Sequence, residues 1–292
     1  DIINIKKYQF LNTNPQMKKY WRMLYKIVLR SNLCIDKVHE YESNNGKNPL
    51  VSQSLGEAYF LRGWAYSQLA FQWGRVPIRT SFDQVGNENA PRKPVTEVWA
   101  VAESDLKQAQ SLLPDSYNDE NLGRATKGAA TGFLGKLYLY TKKYAEADAE
   151  FAKMNGYSLL PLAKWDDNFG ETNENNAESV FEVQFAYTPG DNVWGMFEGQ
   201  GPEAHGSVLA TTAIPQLYSW NDWPNWRFQE GRIKDFKYND ETGNAYADPR
   251  AQLTFYQKKA PGSIGDSTYY DNGPDGPLPY NRGDVFYRKG MN

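Results

Sequence analysis

Apolar residues recur at helical spacing through the first half of the chain and lose that rhythm in the second. Over residues 16–41, Tyr20, Trp21, Leu24, Tyr25, Ile27 and Val28 mark one face of a helix, because positions three and four apart share a side. Ser54-Leu55-Gly56-Glu57 has the spacing of a capping box, in which Ser54 and Glu57 would satisfy free backbone donors. The box is expected to open a helix through Ala58, Leu61, Ala65 and Leu69 to Trp73, with Gly74 ending it. Thr96 is expected to cap a third helix whose stripe runs Val98, Ala102, Leu106, Ala109, Leu113, up to Pro114. A fourth helix is predicted over 126–141 and a fifth over 144–154. After residue 156, Gly, Pro, Asn and Asp accumulate, and only short strand-like runs at 179–185 and 253–256 interrupt the loops.

Within 134–151, Leu134-Gly135, Tyr138, Tyr144, Ala147 and Phe151 stand at the offsets of the second half of a tetratricopeptide-type unit, which this segment resembles. Gly135 would let the paired helix approach closely, the two tyrosines and Phe151 would fill the space between helices, and Ala147 would keep the crossing tight. Met154 stands where the repeat has a small residue, so the next helix is expected slightly farther away. Gly128, Gly132 and Gly135 share a face of the fourth helix, which reads as close packing of a helix in water. Two hairpins, 54–114 and 126–154, are thus expected to stack with the long first helix. The first hairpin has an unusually long connection, 74–94, and such connections are commonly functional. The expected fold is mostly α: a tetratricopeptide-like superhelix, residues 1–156, carrying an irregular loop-rich lobe with a few short strands, residues 157–292, the two integrated in one domain.

Composition adds one thing to this picture. Aromatic residues make up 15% of the chain, and five of its nine tryptophans (Trp165, Trp194, Trp220, Trp223, Trp226) fall in the loop-rich half. Indoles offer large area with a polar edge, so a lobe dense in them on a helical frame reads as a recognition surface. A net charge of −3 with signs interspersed provides no extended positive field, which argues against nucleic acid and against an anionic lipid surface as partners. Cys34 stands in the apolar-periodic stretch Ile27, Val28, Leu33, Cys34, Ile35, Val38 and reads as a small buried hydrophobe; as the one cysteine it permits no disulfide within the chain. No run reaches the ~18 apolar residues of a membrane span. No signal peptide is evident, and the chain opens at Asp1 without a methionine, so a fragment or mature piece is expected.

A family resemblance rests on ordered elements. Glu57-Ala58-Tyr59-Phe60-Leu61-Arg62-Gly63-Trp64-Ala65-Tyr66, followed by Trp73-Gly74-Arg75-Val76-Pro77-Ile78, is its most recognisable segment. Trp21, Leu24, Tyr25 and Asn32 precede it; Asp105-Leu106, Ala109, Leu112-Leu113-Pro114 and Gly123-Arg124-Ala125-Thr126-Lys127-Gly128-Ala129 follow. Asn173-Glu174-Asn175, Glu178-Ser179-Val180-Phe181-Glu182 and Asp248-Pro249-Arg250 complete the order. In these elements the chain resembles the SusD/RagB outer-membrane nutrient-binding lipoproteins. The resemblance implies non-catalytic capture of oligosaccharide outside the bacterial outer membrane and delivery to a SusC-like TonB-dependent transporter. It also implies an amino-terminal lipid anchor and carboxy-terminal helices beyond this chain, since Cys34 is mid-helix and is not the lipidation site.

A sugar ring has an apolar C–H face and a rim of hydroxyls, so its site wants flat aromatics flanked by planar polar groups. Trp220-Asn221-Asp222-Trp223-Pro224-Asn225-Trp226 interleaves those types, and Trp194 with Phe197 and His205 offers a second cluster. The resemblance further implicates the loop after Val76-Pro77-Ile78, hence Asn87, Asn89 and Arg92, by location. Trp21, Trp64 and Trp99 occupy helical stripes and are expected in the core, with Trp73 and Trp165 also packing. For catalysis there are two histidines, His39 and His205, no His-Glu-x-x-His, no Cys/His zinc spacing and no partnered serine, so no metal or cofactor is expected. A peptide-binding member of the same family, a glycoside hydrolase using two carboxylates, and a protein–protein scaffold remain as alternatives.

Overall fold

The computed structural model describes residues 11, 13–84, 89–168, 173–184, 237–239, 245–251, 255–257 and 285–287. Among them are five α-helices: α1 (Pro15–Asn45), α2 (Pro49–Trp73), α3 (Val95–Leu112), α4 (Lys127–Tyr140) and α5 (Tyr144–Phe151). Each packs chiefly on its neighbours in sequence, as expected of stacked hairpins, and the mostly α reading holds. Three two-stranded antiparallel sheets accompany them: β1 (Val76–Pro77) with β2 (Arg92–Lys93), β3 (Lys237–Asn239) with β4 (Ala245–Ala247), and β5 (Phe255–Gln257) with β6 (Val285–Tyr287). The chain forms two compact units, Asp1–Tyr157 with Val180–Glu182, and Ser158–Ser179 with Val183–Asn292.

Two helix starts differ from the sequence expectation. Helix α2 begins at Pro49, one and a half turns before Ser54, because Asn48 accepts the Leu50 N–H at 2.9 Å and Pro49 has the backbone angle of a first helical residue. Ser54 is therefore interior and donates its hydroxyl to the Leu50 carbonyl at 3.2 Å, while Glu57 pairs with Arg124 instead of a backbone donor. Helix α3 begins at Val95, where the Pro94 carbonyl accepts from Glu97 and Val98; Thr96 lies inside the helix and caps nothing. Thr126 does cap α4, accepting from the Ala129 N–H at 3.1 Å. Gly74 ends α2 with φ +67°, a left-handed value that a side chain would strain. The fifth helix closes at Phe151, so Met154 falls in the turn after it.

On α1 the buried residues Leu24, Val28, Ser31, Asn32, Ile35 and Val38 follow the helical period and face α2. The main core gathers Leu24 and Val28 with Phe60, Tyr66, Leu69, Val98, Leu106, Leu134 and Leu137; a smaller cluster of Ile35, Val38, Leu55 and Ala58 packs partly buried Cys34. Trp21, Trp64, Trp73 and Trp99 pack against the main core without being sealed in it, and Trp73 meets Trp21 edge-on at 5.2 Å. Gly135 is required where it stands: a Cβ there would lie 2.7 Å from Phe151 Cε1, which is the close approach the repeat spacing predicts. The 179–185 run is not a strand over its described residues; it is irregular, and Phe181 packs on Phe60 and Phe133 at 5.1 and 6.4 Å. Of the 253–256 run, Phe255 and Tyr256 do join β5.

Candidate functional site

The long connection predicted after α2 is closed at its base by the β1–β2 pair, with Val76 opposite Lys93 and Pro77 opposite Arg92. Between them the chain makes a 3₁₀ turn, Phe82–Gln84. Asn89 and Arg92 are both exposed on this connection. Asn87 lies outside the described residues, as do Trp194, Phe197, His205, Trp220, Asn221, Asp222, Trp223 and Trp226.

What fixes the connection is a buried polar lock that sequence reasoning did not single out as one unit. Arg62 on α2 donates through Nε and Nη2 to the two carboxylate oxygens of Asp105 on α3, at 2.7 and 2.8 Å. Its Nη1 reaches the Asn32 side-chain oxygen on α1 and the Thr80 carbonyl, each at 2.9 Å. Asn32 in turn donates to the Arg79 and Ser81 carbonyls at 3.1 and 3.2 Å. Tyr66 completes the grip, donating to the Arg79 carbonyl at 2.7 Å and accepting the Arg79 N–H at 2.6 Å. Burial pushes the Tyr66 hydroxyl up to about 12, against the lowering effect of its bonds to the Arg79 backbone, so it stays protonated at neutral pH. Asp36 accepts from the Phe82 N–H at 2.7 Å and from the Ser81 hydroxyl at 3.2 Å. Helices α1 and α2 thus hold the first residues of the connection by both side chain and backbone, with Asp105 on α3 orienting Arg62, and the exposed part beyond is presented from a fixed base.

Several residues acquire definite roles. His39 is exposed and meets the Tyr59 hydroxyl at 3.3 Å. Trp165 is half-buried in the 3₁₀ segment Leu162–Asn168. In the second unit, Glu178 accepts from the Leu160 N–H and from the Asn168 amide at 3.0 and 2.9 Å, and Asn176 donates to Asn168 at 3.0 Å. These bonds, with Asn173 donating to Asp167 at 2.9 Å, give the Asn/Glu-rich elements a structural task within their own segment. On the first unit a groove of about 890 Å³ runs along α3 and α4, lined among others by Lys107, Gln110, Lys127, Thr131, Lys153 and Tyr157. All three of its lysines are engaged, with Glu103, Asp115 and Glu150 respectively.

Comparison with known proteins gives a consistent set. A family model described as starch-binding, associating with outer membrane, matches residues 3–139. A SusD-like protein of Formosa agariphila is 24% identical over 237 residues, which are 78% of this chain and 41% of the relative. The fold superposes on a SusD superfamily protein of Bacteroides vulgatus with a TM-score of 0.73 and 24% identity, covering 98% of this chain and 57% of that one. A laminarin-binding SusD-like protein matches with a TM-score of 0.53 and 28% identity over 57% of this chain and 37% of its own. The chain spans 41%, 29% and 34% of the lengths of the three curated relatives it matches.

Proposed function

This chain belongs to the SusD/RagB family, and from that premise we propose that it binds oligosaccharide at the outer face of a bacterial outer membrane without transforming it. The observation that carries this reading is the laminarin-binding relative, 28% identical over the 57% of this chain that it matches. The family model's description supports the compartment. The anchored 74–94 connection supports a display role, since Asn89 beyond its β1–β2 base and Arg92 on that base are both exposed while the base is locked. In this reading residues 1–156 are the frame and 157–292 the ligand-binding lobe. Trp220, Trp223 and Trp226 stack on sugar faces, Asn221, Asp222, Asn87, Asn89 and Arg92 meet hydroxyls, and Trp194 extends the platform. Part of the helical frame docks on a SusC-like TonB-dependent transporter, which receives the sugar, and a lipid anchor tethers the protein.

A shallow aromatic platform with a few hydrogen bonds yields affinities of roughly micromolar to millimolar, suited to release. Isothermal titration against oligosaccharide and oligopeptide panels tests the reading. Heat with the oligosaccharides alone, and retardation without release of reducing ends in a gel containing polysaccharide, is the expected result. Heat with peptides alone, or release of reducing ends, overturns it. Trp220→Ala and Trp223→Ala are expected to abolish the sugar-dependent fluorescence change while leaving the helical circular dichroism intact; normal binding by both moves the site elsewhere.

A further inference from the structure

Helix α1 carries an unusual charge run. Between residues 15 and 35 it has Lys18, Lys19, Arg22, Lys26 and Arg30 and no acidic side chain. Lys18, Arg22, Lys26 and Arg30 recur every four residues, so they form one exposed stripe. Like charges at that spacing repel one another, and no carboxylate on the first five turns offsets them. The side chains of Arg22 and Lys26 make no ion pair or hydrogen bond among the described residues, unlike the lysines of the larger groove.

Beside this stripe lies a hollow of about 280 Å³, lined by Arg22, Tyr25, Lys26, Val28, Leu29, Asn32, Arg79 and Ser81. It sits against the locked residues 79 and 81 of the 74–94 connection. Its volume falls just under the ~300–1,000 Å³ of pockets that hold drug-sized ligands, a size for one sugar ring or one substituent. Leu29 and the Tyr25 ring give it an apolar wall, with buried Val28 behind them. Its neutral polar groups are already engaged: the Tyr25 hydroxyl donates to the Pro77 carbonyl at 2.6 Å, Asn32 holds Arg79 and Ser81, and the Ser81 hydroxyl is on Asp36. Recognition in the hollow therefore falls to the cations Arg22 and Lys26. The acid nearest in the network, Asp36, is already bonded to the Ser81 hydroxyl and the Phe82 N–H.

We infer that this hollow takes an anionic substituent, a sulfate ester or carboxylate, carried on a sugar ring of the bound glycan. The inference rests on the glycan-binding reading and narrows it to acidic glycans. A ring offers an apolar face to Leu29 and Tyr25, and its charged substituent offers oxygens to the Arg22 guanidinium and the Lys26 ammonium, which bind such oxygens more strongly than neutral donors do. A concave pocket of this size fits one substituted ring better than it fits a flat lipid surface.

The test titrates the protein with a sulfated galactan oligosaccharide and its chemically desulfated form. The sulfated sugar is expected to bind about tenfold more tightly in about 20 mM salt, with the preference shrinking in about 500 mM salt as screening increases. Arg22→Glu with Lys26→Glu changes exposed side chains that pair with none of the described residues, so the fold is retained, and it should erase the preference while leaving the desulfated affinity unchanged. Lys18→Glu with Arg30→Glu reverses as much charge on the same helix outside the hollow and should keep the preference. Equal binding of the two sugars, or equal loss in both double variants, overturns the inference while leaving glycan binding in place. If neither sugar binds, the glycan-binding reading fails. Inorganic sulfate then decides the hollow: selective shifts of the Tyr25, Lys26 and Arg79 amide resonances support an anion site, and their absence overturns it. Stronger binding to phosphatidylglycerol vesicles than to either sugar, lost in both double variants, assigns the stripe to lipid and also overturns it.

Discussion

Two arginine–carboxylate pairs in the helical unit have almost the same hydrogen-bond geometry and opposite surroundings. Arg62 meets Asp105 through two bonds of 2.7 and 2.8 Å, and Arg124 meets Glu57 through two of 2.7 Å. The side chains of the first pair are 7% and 5% exposed, those of the second 41% and 20%. The comparison teaches that solvent, more than geometry, sets what an ion pair does. Around Arg124 and Glu57 water can replace either partner, so the bond adds little. Around Arg62 and Asp105 it cannot, and burial raises the Asp105 carboxyl above its ordinary range despite the lowering effect of Arg62. A raised carboxyl means the ionised form is held at a net cost. The buried pair is therefore better understood as a positioning device that sets α1, α2, α3 and the 79–81 backbone in one arrangement than as a source of stability.

The sharpest way to break this contrast is to remove one buried partner. Asp105→Ala leaves the Arg62 guanidinium without its counter-ion and is expected to cost about 3–5 kcal/mol in urea unfolding followed by circular dichroism. Arg62→Met with Asp105→Leu removes both charges and should recover more than half of that loss; a double variant no more stable than Asp105→Ala would sink the argument. A smaller effect is expected from Asn32→Leu, which strips the Arg79 and Ser81 carbonyls and one arginine N–H of their partner, at about 1–3 kcal/mol. Amide exchange over residues 79–82 should accelerate with it, and unchanged protection there would separate the lock from the connection. Smaller again is Arg124→Gln, expected to cost about 0.2–1 kcal/mol and less at high salt. A loss as large as that of Asp105→Ala would erase the distinction between the two regions.

How much of this was legible beforehand follows from the same physics. The helices were, because the apolar period survives every local ambiguity, and Gly135 against Phe151 followed from repeat spacing. The cap positions of α2 and α3 were not, because Asn48-Pro49 and Pro94 offered earlier starts than Ser54 and Thr96. The lock left a trace that could have been followed: Asp105 falls three residues after Ala102 and one before Leu106, on the buried stripe of α3, and Arg62 stands directly before Gly63 on that of α2. Charges on two facing apolar stripes point to each other, since an unpartnered one would be costly. The candidate ligand residues had no such period, being loop positions chosen by composition and location; of these the described residues include Asn89 and Arg92.

Acid provides the finest separation of the two kinds of pair. Glu103 on α3 accepts from Lys107 at 2.7 Å, from Lys143 at 2.8 Å and from the Tyr138 hydroxyl at 3.0 Å. Partial burial acts to raise its carboxyl, but the bonds from Lys107, Lys143 and Tyr138 outweigh that and bring it down to about 2. A carboxyl depressed in the folded state stabilises it above the unfolded value near 4.5, and that contribution is lost as pH falls through about 2. Asp105 has the opposite sign: burial raises its carboxyl despite Arg62, so it has no share in the stability that Glu103 loses in acid. Wild type should therefore melt above Glu103→Gln at pH 6 by a margin that narrows between pH 4.5 and 2, read by calorimetry across that window. The margin is expected to be the smallest of these effects, because Lys107 and Lys143 are 53% and 45% exposed and water competes for both. A margin that stays constant over the window would mean that the Glu103 charge is not what the folded state gains, and that half-exposed clusters here behave like the buried pair.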